Sequence, residues 1–132
     1  MSWNVAPSSE ELTLLMEAGF IYRDAKKFQE AREVFRGVRA LLPKNEVAEV
    51  ALGTVSFHEG DFPAAVKHYR RALELNPKSA YAYAHLGEAC LFQMDKEAAR
   101  KNLKKATELD PKGDAGKMAR SLLELTDVVQ FK

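Results

Sequence analysis

The stretch that decides the fold is Glu46–Pro77, which reads EVAEVALGTVSFHEGDFPAAVKHYRRALELNP. Apolar residues recur in it at intervals of three and four, which is the period of an α-helix. Gly60 and Asp61 interrupt this pattern, and Pro77 closes it. The stretch therefore predicts two helices joined by a short turn.

The same unit occurs again on both sides of this stretch. Glycine in a helix interior costs about 1 kcal/mol relative to alanine, so a glycine that recurs there indicates close packing between helices. Each of the following sets steps by 34 residues: Gly19, Gly53 and Gly87; Ala31, Ala65 and Ala99; Pro43, Pro77 and Pro111; Leu41, Leu75 and Leu109; Phe35, Tyr69 and Leu103. The chain is therefore a tandem array of helical hairpins, in which each hairpin buries an apolar face of the next.

A helical hairpin repeated every 34 residues resembles the tetratricopeptide repeat (TPR). The resemblance covers Leu12–Lys112, about three-quarters of the chain. It implies an all-α fold, a right-handed superhelix of three helical hairpins closed by a C-terminal capping helix. The expected divisions are an N-terminal arm at 1–8 and a single TPR domain at 9–130, with repeats at 12–45, 46–79 and 80–113 and the capping helix at 114–130.

Local signals place the ends of several helices. Ser8 with Glu11 fits a capping box, so the first helix should begin near residue 9. Lys26 and Met94 stand where the middle hairpin has Gly60, two departures from the usual glycine turn that leave the tightness of the first turn open. Asp114 is expected to cap the last helix. The first helix should turn these residues inward: Leu12, Leu15, Ala18, Gly19 and Tyr22.

Composition limits the class of protein. The 132 residues are 46% hydrophobic and 30% charged, as in an ordinary soluble domain, and the net charge of +1 does not indicate nucleic acid or membrane binding. No secretory signal or apolar run of about 20 residues is visible. A single cysteine, Cys90, suits a reducing compartment, so a cytoplasmic location is expected. Trp3 is expected to pack on the first hairpin, with a self-association contact as the alternative.

The TPR resemblance also implies a binding site. In that family the first helices of the hairpins line a concave groove that receives a peptide of a partner protein. The matching positions here are Met16, Phe20, Val47, Val50, Thr54, Phe57, His58, Tyr81, Ala84, His85, Glu88, Leu91 and Phe92.

The periodicity of the middle hairpin agrees with this groove. Val47, Val50, Thr54 and Phe57 step by three, four and three, on a different face from Leu52. The helix is thus apolar on two faces, and an exposed apolar stripe tends to mark a partner site. The alternative is that the array curls enough to bury this stripe as ordinary core.

The chemistry of the groove predicts what it binds. Some co-chaperones of the family use lysine and asparagine to clamp a C-terminal carboxylate, but the matching positions hold Met16, Phe20 and Thr54. The groove should therefore prefer an apolar or amphipathic segment. The candidate anchors are Phe57, Tyr81 and Phe92, since buried aromatic residues dominate interface energies.

Catalysis, metals and cofactors find little support in the sequence. His58, His68 and His85 show no metal-ligand spacing, and no glycine-rich phosphate loop is present. An enzyme could use His85 with Glu88 as a general base, but a hydrogen bond in the groove is the preferred interpretation. Cys90 lacks an evident base and is expected to be a small buried hydrophobic residue. We expect no catalytic residue, metal site or cofactor.

One helix carries a basic stripe. Its members are Arg100, Lys101, Lys104 and Lys105. A solvated outer face is the ordinary interpretation of such a stripe, and an acidic partner or RNA is the alternative.

A narrower resemblance rests on the order of several segments. The chain is similar to the class II chaperones of bacterial type III secretion systems in the order of these segments: Tyr22-Arg23, FQEAREVF, ALG, GDFPAAVKHY, LGEACLF and EAARKNLKKATEL, followed by one closing helix. Those chaperones are cytoplasmic three-repeat proteins whose groove holds an extended segment of a translocator subunit before export.

Together these features predict a non-enzymatic protein–protein interaction module of the type III secretion chaperone kind. The alternatives are a generic adaptor or scaffold subunit of a multiprotein assembly and a self-associating structural protein. The expected partner is another protein, bound through a peptide segment. A homodimer is possible, and neither nucleic acid nor a membrane is expected.

Overall fold

A computed structural model describes residues 7–129 of the chain. Over these residues it contains helices and no strands, in agreement with the all-α prediction. The expectations for Trp3 and for the last residue of the domain lie outside the described residues. The helices are α1 (Ser9–Asp24), α2 (Phe28–Leu41), α3 (Val47–His58), α4 (Phe62–Leu75), α5 (Ala80–Phe92), α6 (Lys96–Leu109) and α7 (Asp114–Val128).

The three hairpins close with the same backbone turn. Lys26, Gly60 and Met94 all adopt left-handed conformations, with φ of 63°, 82° and 64°. The next amide in each turn donates to a carbonyl five residues earlier, at 2.8 Å to Tyr22, 2.9 Å to Ser56 and 3.0 Å to Cys90. The outer turns are therefore as tight as the glycine turn, although Lys26 and Met94 replace the glycine. Lys26 and Met94 adopt a backbone conformation that disfavours a side chain.

The recurring glycines bring the two helices of each hairpin together. A Cβ atom added to Gly19 would collide with the ring of Phe35, one at Gly53 with the ring of Tyr69, and one at Gly87 with Leu103. The large partners recur with the same 34-residue step as the glycines. This confirms that the glycines are present for packing.

Side-chain caps fix several helix starts. Ser8, Asp61 and Ser79 accept hydrogen bonds from amides three residues ahead, at 3.1, 3.2 and 3.1 Å. The last helix differs from the prediction, because its cap residue is Gly113 and Asp114 is already helical. Asp110 holds this junction instead, since its carboxylate accepts from the Gly113 amide at 3.0 Å.

The core has two parts that meet at α3. One part joins α1, α2 and α3 around Phe35, and the other joins α4, α5, α6 and α7 around Tyr69 and Leu103. The buried residues of α3 form an unbroken run, 48–56, with Leu52 in the first part and Val50 in the second. This helix therefore connects the two halves of the array.

The outer face of α1 departs from the prediction. Leu15 and Tyr22 were expected to face inward, yet each is 37% exposed. The counterparts of Tyr22 in the later repeats, Ser56 and Cys90, are buried because a hairpin precedes them. No described element covers α1 on that side, so these positions are exposed.

Candidate functional site

The first helices of the hairpins form one row. In this row α1 contacts α3, α3 contacts α5, and α5 contacts α7. Seven of the groove residues expected from the TPR resemblance line two cavities between helices of this row.

The first cavity, here called the N-terminal cavity, has a volume of about 350 Å³ and crosses α1, α3 and α5. Four of the predicted groove residues line it, and its surface is mainly apolar. The lining residues are Leu12, Thr13, Met16, Glu17, Phe20, Val47 and Tyr81.

The second cavity, here called the C-terminal cavity, lies between α5 and α7 and has a volume of about 470 Å³. Three predicted groove residues from α5 line it together with residues of α7 that the sequence assigned to a closing helix. The lining residues are Glu88, Leu91, Phe92, Met94, Leu122, Leu125 and Val129. Both cavities have the size of small ligand sites in proteins.

An aromatic cluster lies beside the C-terminal cavity. Phe57 meets the edge of Phe92, with ring centroids 4.9 Å apart, and Phe62 lies 5.2 Å from Phe57 and 5.4 Å from Phe92. Phe92 is 53% exposed, whereas Phe57 is half-buried. Sequence reasoning missed Phe62. The signal that could have found it is Phe28, its counterpart one repeat earlier, which also opens a second helix.

Three predicted groove residues are buried and line neither cavity. Val50 and Ala84 are fully buried, and Thr54 is nearly so. The expectation of an exposed stripe on α3 is therefore wrong at Val50 and Thr54, because the neighbouring helices cover them. These residues form the support under the groove and do not contact solvent.

Arg23 joins α1 to α3 near the middle of the row. Its guanidinium donates to the Thr54 hydroxyl at 3.0 Å, pairs with Asp24 at 2.8 Å and lies over the ring of Phe20 at 4.8 Å. The ring of His58 lies close by and donates from Nδ1 to the Thr54 carbonyl at 2.8 Å. Sequence reasoning missed Arg23, because its bonding partner is 31 residues away in the chain.

His85 and Glu88 do not form the hydrogen bond expected between them. Their closest atoms, Nδ1 and Oε1, are 3.4 Å apart, and His85 Nδ1 is buried without a hydrogen-bond partner. The ring of His85 packs instead against Tyr81, at 4.7 Å between centroids, and against Tyr69, at 5.7 Å. Burial, and next the negative charge of Glu88, raise the pKa of Tyr69. Burial likewise raises the pKa of Tyr81. Both tyrosines are therefore neutral at physiological pH.

The described residues include possible metal ligands and a single thiol. Within 7–129 no three acidic, histidine or cysteine side chains come together as metal ligands. Cys90 is buried, as expected, and burial followed by the nearby charge of Asp95 raises the pKa of its thiol. A raised pKa disfavours the reactive thiolate. No helix among the described residues is both long and apolar enough to cross a membrane.

The basic stripe is divided in the structure. Arg100 pairs with Asp127 of α7 at 3.2 Å, whereas Lys101, Lys104 and Lys105 are exposed on α6. Arg100 therefore helps to attach the last helix to the array.

Two protein-family models match parts of the repeat array. A family model described as TPR repeat matches residues 53–91, and one described as tetratricopeptide repeat matches residues 80–112. No curated protein sequence matches the chain.

Solved structures of low sequence identity share the fold. The first TPR of Spaghetti (RPAP3), bound to the HSP90 peptide SRMEEVD, is 23% identical with a TM-score of 0.73, over 94% of this chain and 96% of that one. The type III secretion chaperone SycD of Yersinia enterocolitica, in complex with a peptide of the translocator YopD, is 22% identical with a TM-score of 0.73, over 92% and 95%. PcrH from Pseudomonas aeruginosa is 19% identical with a TM-score of 0.75, over 96% and 99%.

Proposed function

Because this chain carries tetratricopeptide repeats on a fold shared with peptide-bound TPR domains, we propose that it is a protein–protein interaction module that binds a peptide segment in its groove. The segment is apolar or amphipathic and lies along α1, α3, α5 and α7. The N-terminal and C-terminal cavities receive its apolar side chains.

One observation carries this proposal: two mainly apolar cavities open on the same row of helices. A single cavity would suit a small molecule, whereas two on one row suit a chain that passes both. The exposed ring of Phe92 beside the second cavity adds an aromatic anchor of the kind that dominates interface energies.

The groove lacks the features of a carboxylate clamp. Met16 and Phe20 are part of the apolar wall of the N-terminal cavity. Arg23, the cation near them, already pairs with Asp24 and donates to Thr54. An acidic peptide with a free C-terminus, such as the HSP90 peptide bound by the RPAP3 domain, is therefore not the expected ligand.

Our preferred version of this function is a chaperone for a secreted translocator-type protein. It is supported by the likeness to SycD, which holds a peptide of the translocator YopD, and by the likeness to PcrH. A generic adaptor is the alternative, and it would use the same groove. We propose a non-enzymatic role in either case, located in the cytoplasm.

The test is affinity capture from the native extract with three forms of the protein, namely wild type, Phe92→Ala and Leu75→Ala. Both residues are exposed, but Leu75 lines neither cavity. We expect mass spectrometry to identify one main partner that is retained by Leu75→Ala and lost by Phe92→Ala, with both variants folded at the temperature of the capture. An exported protein would favour the chaperone, whereas a resident protein would favour the adaptor. Equal capture by all three forms would contradict a groove site.

A second candidate, self-association, is favoured by the outer face of α1. Leu14 and Ile21, seven residues apart on one side of the helix, are both exposed, next to Leu15 and Tyr22. Exposed apolar faces of this kind are typical of interfaces. Light scattering of wild type and of Ile21→Asp would show whether a dimer exists and whether this face forms it. A monomer at high concentration would remove this candidate.

A further inference from the structure

Glu88 is the charged side chain in the wall of the C-terminal cavity. The other six residues of that wall are apolar and come from α5, α7 and the turn after α5. The Glu88 side chain is 22% exposed, so its carboxylate is partly shielded from water while it borders the cavity. A carboxylate in such a position gains from a cation that enters the cavity mouth.

Another shielded carboxylate of this chain, that of Glu49, has several basic partners. Glu49 in α3 is held by Arg39 at 3.1 Å, by His68 at 3.0 Å and by Arg71 at 3.9 Å. By contrast, the basic side chain beside Glu88 is a histidine, His85, which is charged only when protonated.

The contact with His85 also lacks hydrogen-bond geometry. His85 Nδ1 lies 3.4 Å from the carboxylate and remains without a hydrogen-bond partner. The histidine ring is occupied by packing against Tyr81 and Tyr69. Burial is the main cause of the raised pKa of both tyrosines, and the nearby negative charge of Glu88 adds to it while the positive charge of Arg23 opposes it.

We propose that the C-terminal cavity selects a partner segment in which a large apolar side chain is adjacent to a lysine or arginine. The apolar side chain fills the space between Leu91 and Leu122, and the basic group pairs with the Glu88 carboxylate at the cavity mouth. This proposal rests on the proposed function and specifies the chemistry of the segment that the groove binds. A partly shielded, charge-assisted pair of this kind adds selectivity as well as affinity.

The experiment is a selection of displayed random 12-residue peptides on the full chain, in four forms. These are wild type, Glu88→Gln, Glu88→Lys and the matched control Glu74→Gln, which changes an exposed carboxylate on α4. Circular dichroism and thermal unfolding verify that every form is folded. One enriched peptide and its Lys→Glu variant are then titrated against all four forms and against Phe92→Ala.

We expect wild type and Glu74→Gln to enrich peptides with a basic residue next to a large apolar one, and Glu88→Gln to lose that preference. The Lys→Glu peptide should bind wild type about tenfold more weakly, and Glu88→Lys should restore its binding. Enriched apolar peptides without a basic preference, or with the same preference on Glu88→Gln, would overturn this inference and leave the proposed function standing. No enrichment, or binding of the enriched peptide that is unaffected by Phe92→Ala, would overturn both.

Discussion

At the scale of single residues, substitution of two glycines in helix interiors should have opposite effects on stability. Gly53 touches the ring of Tyr69, whereas a Cβ added to Gly37 would meet nothing within 4 Å. We expect Gly53→Ala to lower the free energy of unfolding by about 1–3 kcal/mol, since overpacking forces a backbone or ring shift. Gly37→Ala, the matched control, should raise it by up to about 1 kcal/mol. Urea unfolding measures both, and equal effects of the two substitutions would contradict the packing argument.

The left-handed turn residues allow a second prediction at this scale. Lys26 adopts φ of 63° at the position where the middle hairpin has Gly60. Lys26→Gly should raise the free energy of unfolding by about 0.5–1 kcal/mol, because relief of the strain exceeds the extra entropy of glycine in the unfolded chain. Gly60→Ala should have the opposite sign. The midpoint of thermal unfolding is the measurement, and a loss of stability in Lys26→Gly would show that the turn is not strained.

Residue spacing predicted the packing contacts but not the exposure of every position. The step of 34 residues predicted both the glycines and their large partners, because steric contact within a hairpin is local and repeats with it. Val50 was expected in the open groove and is buried. Its exposure depends on how closely α5 approaches α3, and the periodic pattern within one helix does not predict the distance between two helices.

At the scale of the element, α3 carries a buried carboxylate between its neighbours. Glu49 is 3% exposed, and burial alone would raise the pKa of its carboxyl. Hydrogen bonds from His68 and Arg39, together with their charges, outweigh that effect, so the pKa is lower in the folded protein than in the unfolded chain. Glu49 therefore contributes stability above the unfolded pKa of about 4.3, and this contribution is lost as the pH falls through the folded pKa.

We expect Glu49→Gln to lower the free energy of unfolding at pH 7 by about 1–3 kcal/mol, because the amide cannot satisfy its charged neighbours. The loss of stability of wild type below about pH 4.3 should also become smaller in this variant. Urea unfolding between pH 7 and pH 3 measures both effects, with Glu74→Gln as the exposed control. Parallel pH curves for wild type and Glu49→Gln would contradict the role of the network.

Element boundaries followed closely from the sequence where a cap residue was present. Ser8 was recognised as a cap, and α1 begins directly after it. The start of α7 was assigned to the wrong cap, because the hydrogen bond that fixes it is accepted by Asp110, outside the local pattern of Asp114. The groove aromatic Phe62 was missed for a similar reason, since its neighbours Phe57 and Phe92 belong to other helices.

At the scale of the whole molecule, the core divides at α3 into an N-terminal part and a C-terminal part. Repeat arrays lose structure unit by unit when their units are unequally stabilised. We expect the amides of α1 and α2 to exchange with deuterium faster than those of α5 and α6, because α1 has one apolar face uncovered, whereas α5 and α6 lie between neighbours. Hydrogen-exchange mass spectrometry tests this, and uniform protection across the helices would contradict it.

The division at α3 also gives the molecule a preferred place to be cut. Pro43 and Lys44 lie exposed between α2 and α3, directly before the helix that joins the two halves. Dilute trypsin should cleave after Lys44 first and leave a resistant product that begins at Asn45. That product keeps the whole wall of the C-terminal cavity, including Glu88, but loses Met16 and Phe20. Limited digestion would thus break the N-terminal cavity, whose wall also includes Val47 and Tyr81, and leave the C-terminal cavity on a product that could be tested for its share of ligand binding.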